Sequence, residues 1–292
     1  MTGTMRTASI RENGADKGVI VLKEGRQVKI EAINETHQTF FPTQVEDLIV
    51  SEKLEELRSW AQSHPQELEE LAEQTDGSYS PLMRTPGKIW GIGLNYQDHA
   101  ADLKEKAPST EPASFMKPLT SIIGPGDTIE IPHQSERTTA EAELGIVIGR
   151  TCKNVSEADA MDYVAGYTTI IDMTAEDILE KNPRYLTRSK SFDTFFSVGP
   201  ELVTVEEVDN VDELKVATVI NGSVHRENVV SNMTFTPWNL VSFHSKVMTL
   251  KPGDIISTGT PGAIHIQDGD EVECRIEGFT SLSNPVTDLK KQ

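Results

Sequence analysis

The chain is 292 residues long, 37% hydrophobic and 25% charged, large enough for one substantial core or for a small domain beside a larger one, and too apolar to stay disordered. Its 27 basic residues face 46 acidic ones, and the formal net charge of −19 disfavours nucleic acid and anionic membrane surfaces as partners, since both need basic patches. No stretch nears the ~20 apolar residues of a membrane helix, no cationic, apolar leader pattern is present, and Cys152 and Cys274 lack disulfide-framework or metal-ligand spacing. The expectation is a cytoplasmic protein with both cysteines in the core.

In chain order, the first 50 residues predict short strands at Gly18 to Leu22 and Val28 to Ile33. Residues 51–74 predict helix: Leu54, Leu57, Trp60 and Ala61 recur at helical spacing. Ser63-His64-Pro65-Gln66 has the pattern of a capping box opening a second helix, with Leu68, Leu71 and Ala72 on one face. Residues 1–80 thus read as a small N-terminal α+β domain. Tyr79 to Gly87, rich in Ser, Pro and Gly, reads as its linker to a second domain, residues 88–292.

From Lys88 the pattern becomes short strands punctuated by turns. Ile89 to Gly93 is an apolar strand whose Gly91-x-Gly93 lacks the third glycine and long helix of a dinucleotide fingerprint. Ala100 to Lys106 predicts a helical turn, which would put His99 and Asp102 on one face. Gly124-Pro125-Gly126-Asp127 and Lys251-Pro252-Gly253-Asp254 predict turns into strands at Thr128 to Ile131 and Ile255 to Thr258. Ser156, with Asp159 at the capping position, predicts a helix ended by Gly166. Val216 to Ile220, Asn221-Gly222 and Ser223 to Arg226 predict a two-residue hairpin, Pro237 to Leu250 a helix, and Glu271 to Ile276 an alternating strand. Many strands and few helices argue for a β-rich barrel or sandwich.

The chemistry concentrates between Thr138 and Phe195. Glu141-Ala142-Glu143 opens an apolar run, and in a strand the two glutamates share one face while Ala142, Leu144, Ile146 and Ile148 share the other. Two such carboxylates repel unless a cation sits between them, and Asp172, closing the apolar run from Tyr167 to Ile171, supplies a third. Hard oxygen ligands suit Mg²⁺, Mn²⁺ or Ca²⁺. An isolated E-x-E equally describes a strand with its acidic side in solvent.

With these segments placed, the chain resembles the fumarylacetoacetate hydrolase family from about Lys88 to Val286. The matching motifs, in order, are Gly91-Ile-Gly-Leu-Asn-Tyr-Gln-Asp-His99, Phe115-Met-Lys-Pro118, Ile123-Gly-Pro-Gly-Asp127, Glu141-Ala-Glu143, Asp159-Ala-Met-Asp-Tyr-Val-Ala-Gly-Tyr167, Asp172-Met-Thr-Ala, Lys190-Ser-Phe-Asp-Thr-Phe195, Val219-Ile-Asn-Gly222, and Met248-Thr-Leu-Lys-Pro-Gly-Asp254 through Thr258-Gly-Thr-Pro261. The resemblance implies an α+β, β-rich fold: a mixed β-roll or barrel with the small N-terminal α+β domain beside it. It further implies a homodimer and a divalent metal, usually Mg²⁺, on Glu141, Glu143 and Asp172, with Lys190 near the metal.

Family members act on 2-oxo acids. Such a substrate can chelate the metal through its carboxylate and keto oxygen, where enolate charge develops. The expected activity is Mg²⁺-dependent hydrolysis of a C–C bond in an acylpyruvate-like 2,4-dioxo acid. Catalytic roles fall to Lys190 and to His99, the base that deprotonates water, oriented by Asp102. Lys117 and Thr260 are candidate substrate-binding residues, and residues 99–117 a lid. Lys117 also reads as a surface side chain, and Thr260 as part of a tight turn around Gly259.

Three departures from the family pattern stand out. Where many acylpyruvases read Thr/Ser-Ala-Arg-Asp-x-Gln, this chain reads Thr174-Ala175-Glu176-Asp177-Ile178-Leu179, losing a guanidinium fork and an amide. Asp102 replaces the usual Glu, and the stretch from Gly262 to Ile266 is short. Oxaloacetate decarboxylation, isomerisation of a 2-hydroxy-diene or 2-oxo acid, and a metal-binding paralogue without catalysis are therefore the alternatives.

Overall fold

The computed structural model describes residues 5–74, 77–96 and 108–291. Its first elements are a hairpin, β1 (Arg6–Glu12) and β2 (Ala15–Val21), turned by Asn13-Gly14, both at positive φ as a primed turn requires. β3 (Gln27–Lys29) follows, but the strand expected to run to Ile33 gives way to α1 (Ile30–His37). Ile30 and Ile33, three apart, are both fully buried, so the β-branched residues serve a helix face.

Helix also begins earlier than expected, in α2 (Val45–Val50), and breaks at Glu52, whose φ is 58°, before α3 (Leu54–Ser63). No capping box forms at Ser63. Its hydroxyl donates back to Ser59 O (3.0 Å) and Trp60 O (2.9 Å), and Pro65 opens α4 (Pro65–Leu71), where a missing N–H costs nothing. β4 (Ser78–Tyr79) then pairs with β1, and Leu82 and Met83 are buried, so the stretch read as a linker is packed down.

The remaining strands are β5 (Ile89–Gly93), β6 (Ala113–Met116), β7 (Ile122–Ile123), β8 (Ile129–Ile131), β9 (Thr138–Ile148), β10 (Val164–Ala175), β11 (Phe196–Val198), β12 (Glu201–Thr204), β13 (Lys215–Ile220), β14 (Ser223–Val229), β15 (Ile255–Ser257), β16 (Ile264–His265), β17 (Glu271–Ile276) and β18 (Leu282–Asp288). Helices α5 (Glu176–Lys181) and α6 (Leu186–Lys190) follow β10, and α7 (Pro237–Val247) is capped by the Thr236 hydroxyl, which accepts from Asn239 N. The helix expected from Ser156 shrinks to one 3₁₀ turn, because the Ser156 hydroxyl closes a local turn onto Asp159 (2.6 Å) and the β-branched run beyond it joins β10. Gly166 lies inside that strand, where a Cβ would stand 2.3 Å from Val203 O.

A large mixed sheet runs β3-β2-β1-β12-β10-β9-β15-β5-β6, and a second runs β14-β13-β17-β18-β8. Both are open, so the architecture is strand-rich and mixed without closing into a barrel. The sheets meet across β9, where Ala142 N donates to Thr218 Oγ1 at 3.1 Å. The N-terminal hairpin continues the large sheet through β1 and β12, and one apolar cluster joins Ile20, Val28, Ile33 and Leu57 to Val147, Ile170, Phe196 and Leu202. No helix among the described residues is long and apolar enough to cross a membrane. Cys152 and Cys274 are buried and unbridged.

Candidate metal centre and active site

β9 and β10 form the long antiparallel pair that builds the site. Their register sets Asp172 directly opposite Glu141, and opposite residues in such a ladder project from the same face. Alternation along β9 adds Glu143 to that face. One carboxylate oxygen from each of the three lies within 4.8 Å of the others, and all three residues are buried. The acidic side of the E-x-E strand therefore faces the interior.

Two cations enter from neighbouring elements. Lys190, the last residue of α6, donates to Glu141 Oε2 (2.9 Å) and Asp172 Oδ2 (2.8 Å). Lys117, just past β6, donates to Asp172 Oδ1 and to Met173 O (3.4 Å), so its place is inside the site and not at the surface. The Phe115 ring centroid lies 5.0 Å from Lys190 Nζ, a cation–π contact that needs Gly91, because a Cβ there would strike that ring at 2.2 Å.

Three further groups, none of them singled out as a site residue from the sequence, fix the acids. Thr174 Oγ1 donates to Glu141 Oε1 at 2.7 Å. Ser257 Oγ (2.5 Å) and Gly259 N (2.8 Å) both donate to Glu143 Oε2. Gly259 has φ +97° and its Cβ position lies 2.8 Å from Asn95 Cβ, so a residue without a side chain is required there. Thr260 is buried in this turn, its hydroxyl donating to Gly262 O and accepting from Gly262 N, both at 3.2 Å. His99 and Asp102, and the helical turn expected at 100–106, lie outside the described residues.

Burial, then the charges of Asp172 and Glu141, push the Glu143 carboxyl up to about 8, against Lys190 and the Ser257 bond. Burial also opposes ionisation of Asp172, but Lys117 and Lys190 outweigh it and hold that carboxyl below the usual range. Lys190 is held above the ordinary lysine range, its burial outweighed by Asp172, Glu141 and Glu143. Burial also draws the Lys117 pKa down against its pairing with Asp172, so the two lysines do not fully offset three ionised acids, and Glu143 is the acid that keeps its proton.

This donor set fits a divalent ion: three hard oxygens on one face, one of them raised in pKa by burial and by its two carboxylate neighbours. The buried Tyr96 hydroxyl, within the field of Glu143, has no hydrogen-bond partner among the described residues. At the rim, Glu176 opens α5 four residues after Asp172, and its Oε2 lies 2.9 Å from Arg137 Nε. Arg137 Nη1 donates to Glu180 Oε1 at 3.1 Å.

Comparison with known proteins agrees with this geometry. The fumarylacetoacetate (FAA) hydrolase C-terminal model matches residues 88–287. Oxaloacetate tautomerase fahd2, mitochondrial, of Xenopus laevis is 39% identical over 210 residues, covering 69% of this chain and 66% of the frog protein. The crystal structure of 5-carboxymethyl-2-hydroxymuconate delta-isomerase from Mycobacterium smegmatis superposes with a TM-score of 0.76 at 31% identity, covering 97% of this chain and 99% of that one. Maleylpyruvate hydrolase from Sphingobium sp. SYK-6, in complex with manganese(II) and pyruvate, gives 0.79 at 26% identity over 97% and 99% of the two chains.

Proposed function

The chain belongs to the fumarylacetoacetate hydrolase family, and we propose that it is a divalent-metal enzyme that decarboxylates or tautomerises oxaloacetate, or a similar short 2-oxo acid, through its enolate. The observation that carries this reading is the cage of Glu141, Glu143 and Asp172 with two buried ammonium groups against it. A divalent ion held there would draw electron density from the carboxylate and 2-keto oxygen of the substrate and lower the cost of charge on the keto oxygen. Lys190, pinned between Glu141 and Asp172 with the Phe115 ring over it, holds a fixed positive charge beside that oxygen. Lys117 donates to the other carboxylate oxygen of Asp172, and burial draws its pKa below the ordinary lysine range. Thr174, Ser257 and Gly259 hold the acids in place without reorganising.

Oxaloacetate is favoured because Glu176 and Leu179 stand where many acylpyruvases carry Arg and Gln, and because of the likeness to a relative named for oxaloacetate. A second reading is hydrolysis of an acylpyruvate, with His99 as the base for water and Asp102 orienting it. The likeness to maleylpyruvate hydrolase with bound manganese and pyruvate favours it. Thr260 remains a proposed donor to the substrate carboxylate, Mg²⁺, Mn²⁺ and Ca²⁺ are the proposed ions, and a cytoplasmic homodimer is the proposed form. Two reactions separate the readings: metal-loaded protein is expected to release CO₂ from oxaloacetate or to convert its enol, whereas acylpyruvases give pyruvate and a carboxylic acid. Absence of both oxaloacetate reactions, at Mn²⁺ or Mg²⁺ saturation, excludes the first reading.

A further inference from the structure

The pair β5–β6 has two different faces. Opposite residues of an antiparallel pair share a face, and the register sets Gly91 against Phe115 and Ile92 against Ser114. The Phe115 face looks onto the metal centre: its ring meets Lys190 there, and Lys117, whose own N–H donates to Ile89 O at 3.1 Å, meets Asp172. Alternation puts Trp90 on the other face with Ile92 and Ser114. Helix α7 lies against that face, with the buried His244 ring centroid 4.7 Å from that of Trp90.

His244 Nδ1 lies 2.7 Å from Leu240 O, which can only accept, so Nδ1 carries the proton and Nε2 is left as an acceptor. Nε2 stands 2.8 Å from Ser114 Oγ, whose hydroxyl therefore donates to it; Pro112 O, at 3.4 Å, is a poorer acceptor. Burial draws the His244 pKa down against the Leu240 bond, which favours the neutral ring that this tautomer requires. The helix is itself fastened to the core, Ser242 Oγ donating to Val155 O at 2.8 Å and Val155 N to Ser245 Oγ at 3.0 Å. By contrast β6 is paired among the described residues with β5 alone, and a strand held along one edge can tilt about it.

We infer that His244 is a positioning residue: by holding Ser114 from behind, it fixes the tilt of β6 and so sets Lys117 against Asp172 and Phe115 against Lys190. Both contacts cross from β6 to other elements, Asp172 on β10 and Lys190 on α6, and both lengthen together when the strand tilts.

The test compares wild type with Ser114→Ala, His244→Leu, the double variant, and His244→Gln, whose side-chain oxygen reaches the place of Nε2. Calorimetry reads Mn²⁺ affinity, and turnover of oxaloacetate at saturating Mn²⁺ reads activity; the second readout rests on the functional reading above, the first does not. Drawing Lys117 off Asp172 frees one ligand oxygen from a competing donor, so Kd for Mn²⁺ is expected to fall about threefold in Ser114→Ala and in His244→Leu. In the same variants kcat is expected to fall about tenfold with KM within about twofold, as for a displaced group that acts on the reacting atoms. The double variant loses no more than either single one, and His244→Gln returns both quantities to within about twofold of wild type. An unchanged Kd in Ser114→Ala overturns the role, as do additive losses in the double variant or a His244→Gln variant as impaired as His244→Leu, since each marks a side chain that merely fills the core. A wild type inactive on oxaloacetate overturns the functional reading instead, and the Mn²⁺ comparison then decides the role of His244.

Discussion

At the scale of single residues, the site is a problem of uncompensated charge. Glu143 keeps its proton up to about pH 8 in the folded protein, whereas an ordinary glutamate loses it near 4.5. Between those values the folded state binds more protons than the unfolded state, so stability falls as pH rises. Urea titrations of metal-free protein at pH 5, 6.5 and 8 are expected to show that decline, and saturating Mn²⁺ to abolish it by replacing the proton with an ion that binds only the native state. Glu143→Gln should flatten the metal-free profile over the same window. Lys190→Met makes an opposite pair of demands: kcat is expected to fall about 10²–10³-fold, as a lost oxyanion partner does. Mn²⁺ affinity should rise in calorimetric titration, because the acids lose an internal cation.

At the scale of elements, β6 is a terminal strand of the large sheet, paired among the described residues with β5 alone, yet it brings Phe115, and Lys117 just past its end, to the site. Gly91 makes that possible by leaving room for the Phe115 ring. Gly91→Ala is expected to cost about 1–3 kcal/mol in chemical denaturation, as overpacking does, and to lower kcat as Phe115 shifts from Lys190. Local patterns read correctly where the element is self-contained. The Asn221-Gly222 hairpin forms with both turn residues at positive φ, and α7 begins at Pro237. They misled where a polar side chain had two local partners to choose between: the Ser63 hydroxyl turned back to its own helix, and Ser156 closed a turn with Asp159 that leads only into a 3₁₀ turn and not into a longer helix.

For the whole molecule, the N-terminal residues are bound into the large sheet. β1 covers the edge of β12, and the apolar cluster around Leu57, Ile33 and Phe196 spans both regions. A chain beginning at Lys88 would expose that edge and that cluster. It is expected to aggregate, in light scattering, at concentrations where the full-length protein stays dispersed. By itself the sequence determined which side chains share a strand face and which residues turn the hairpin, because these follow from spacing along the chain, while the grouping of the acids with Lys190 came from the motif resemblance. It could not place Asp172 opposite Glu141, turn the Gly259 N–H onto Glu143, or set Arg137 against Glu176. Those contacts depend on ladder register and on loops meeting across the core, where pairings distant in sequence are decided only when the apolar faces have found each other.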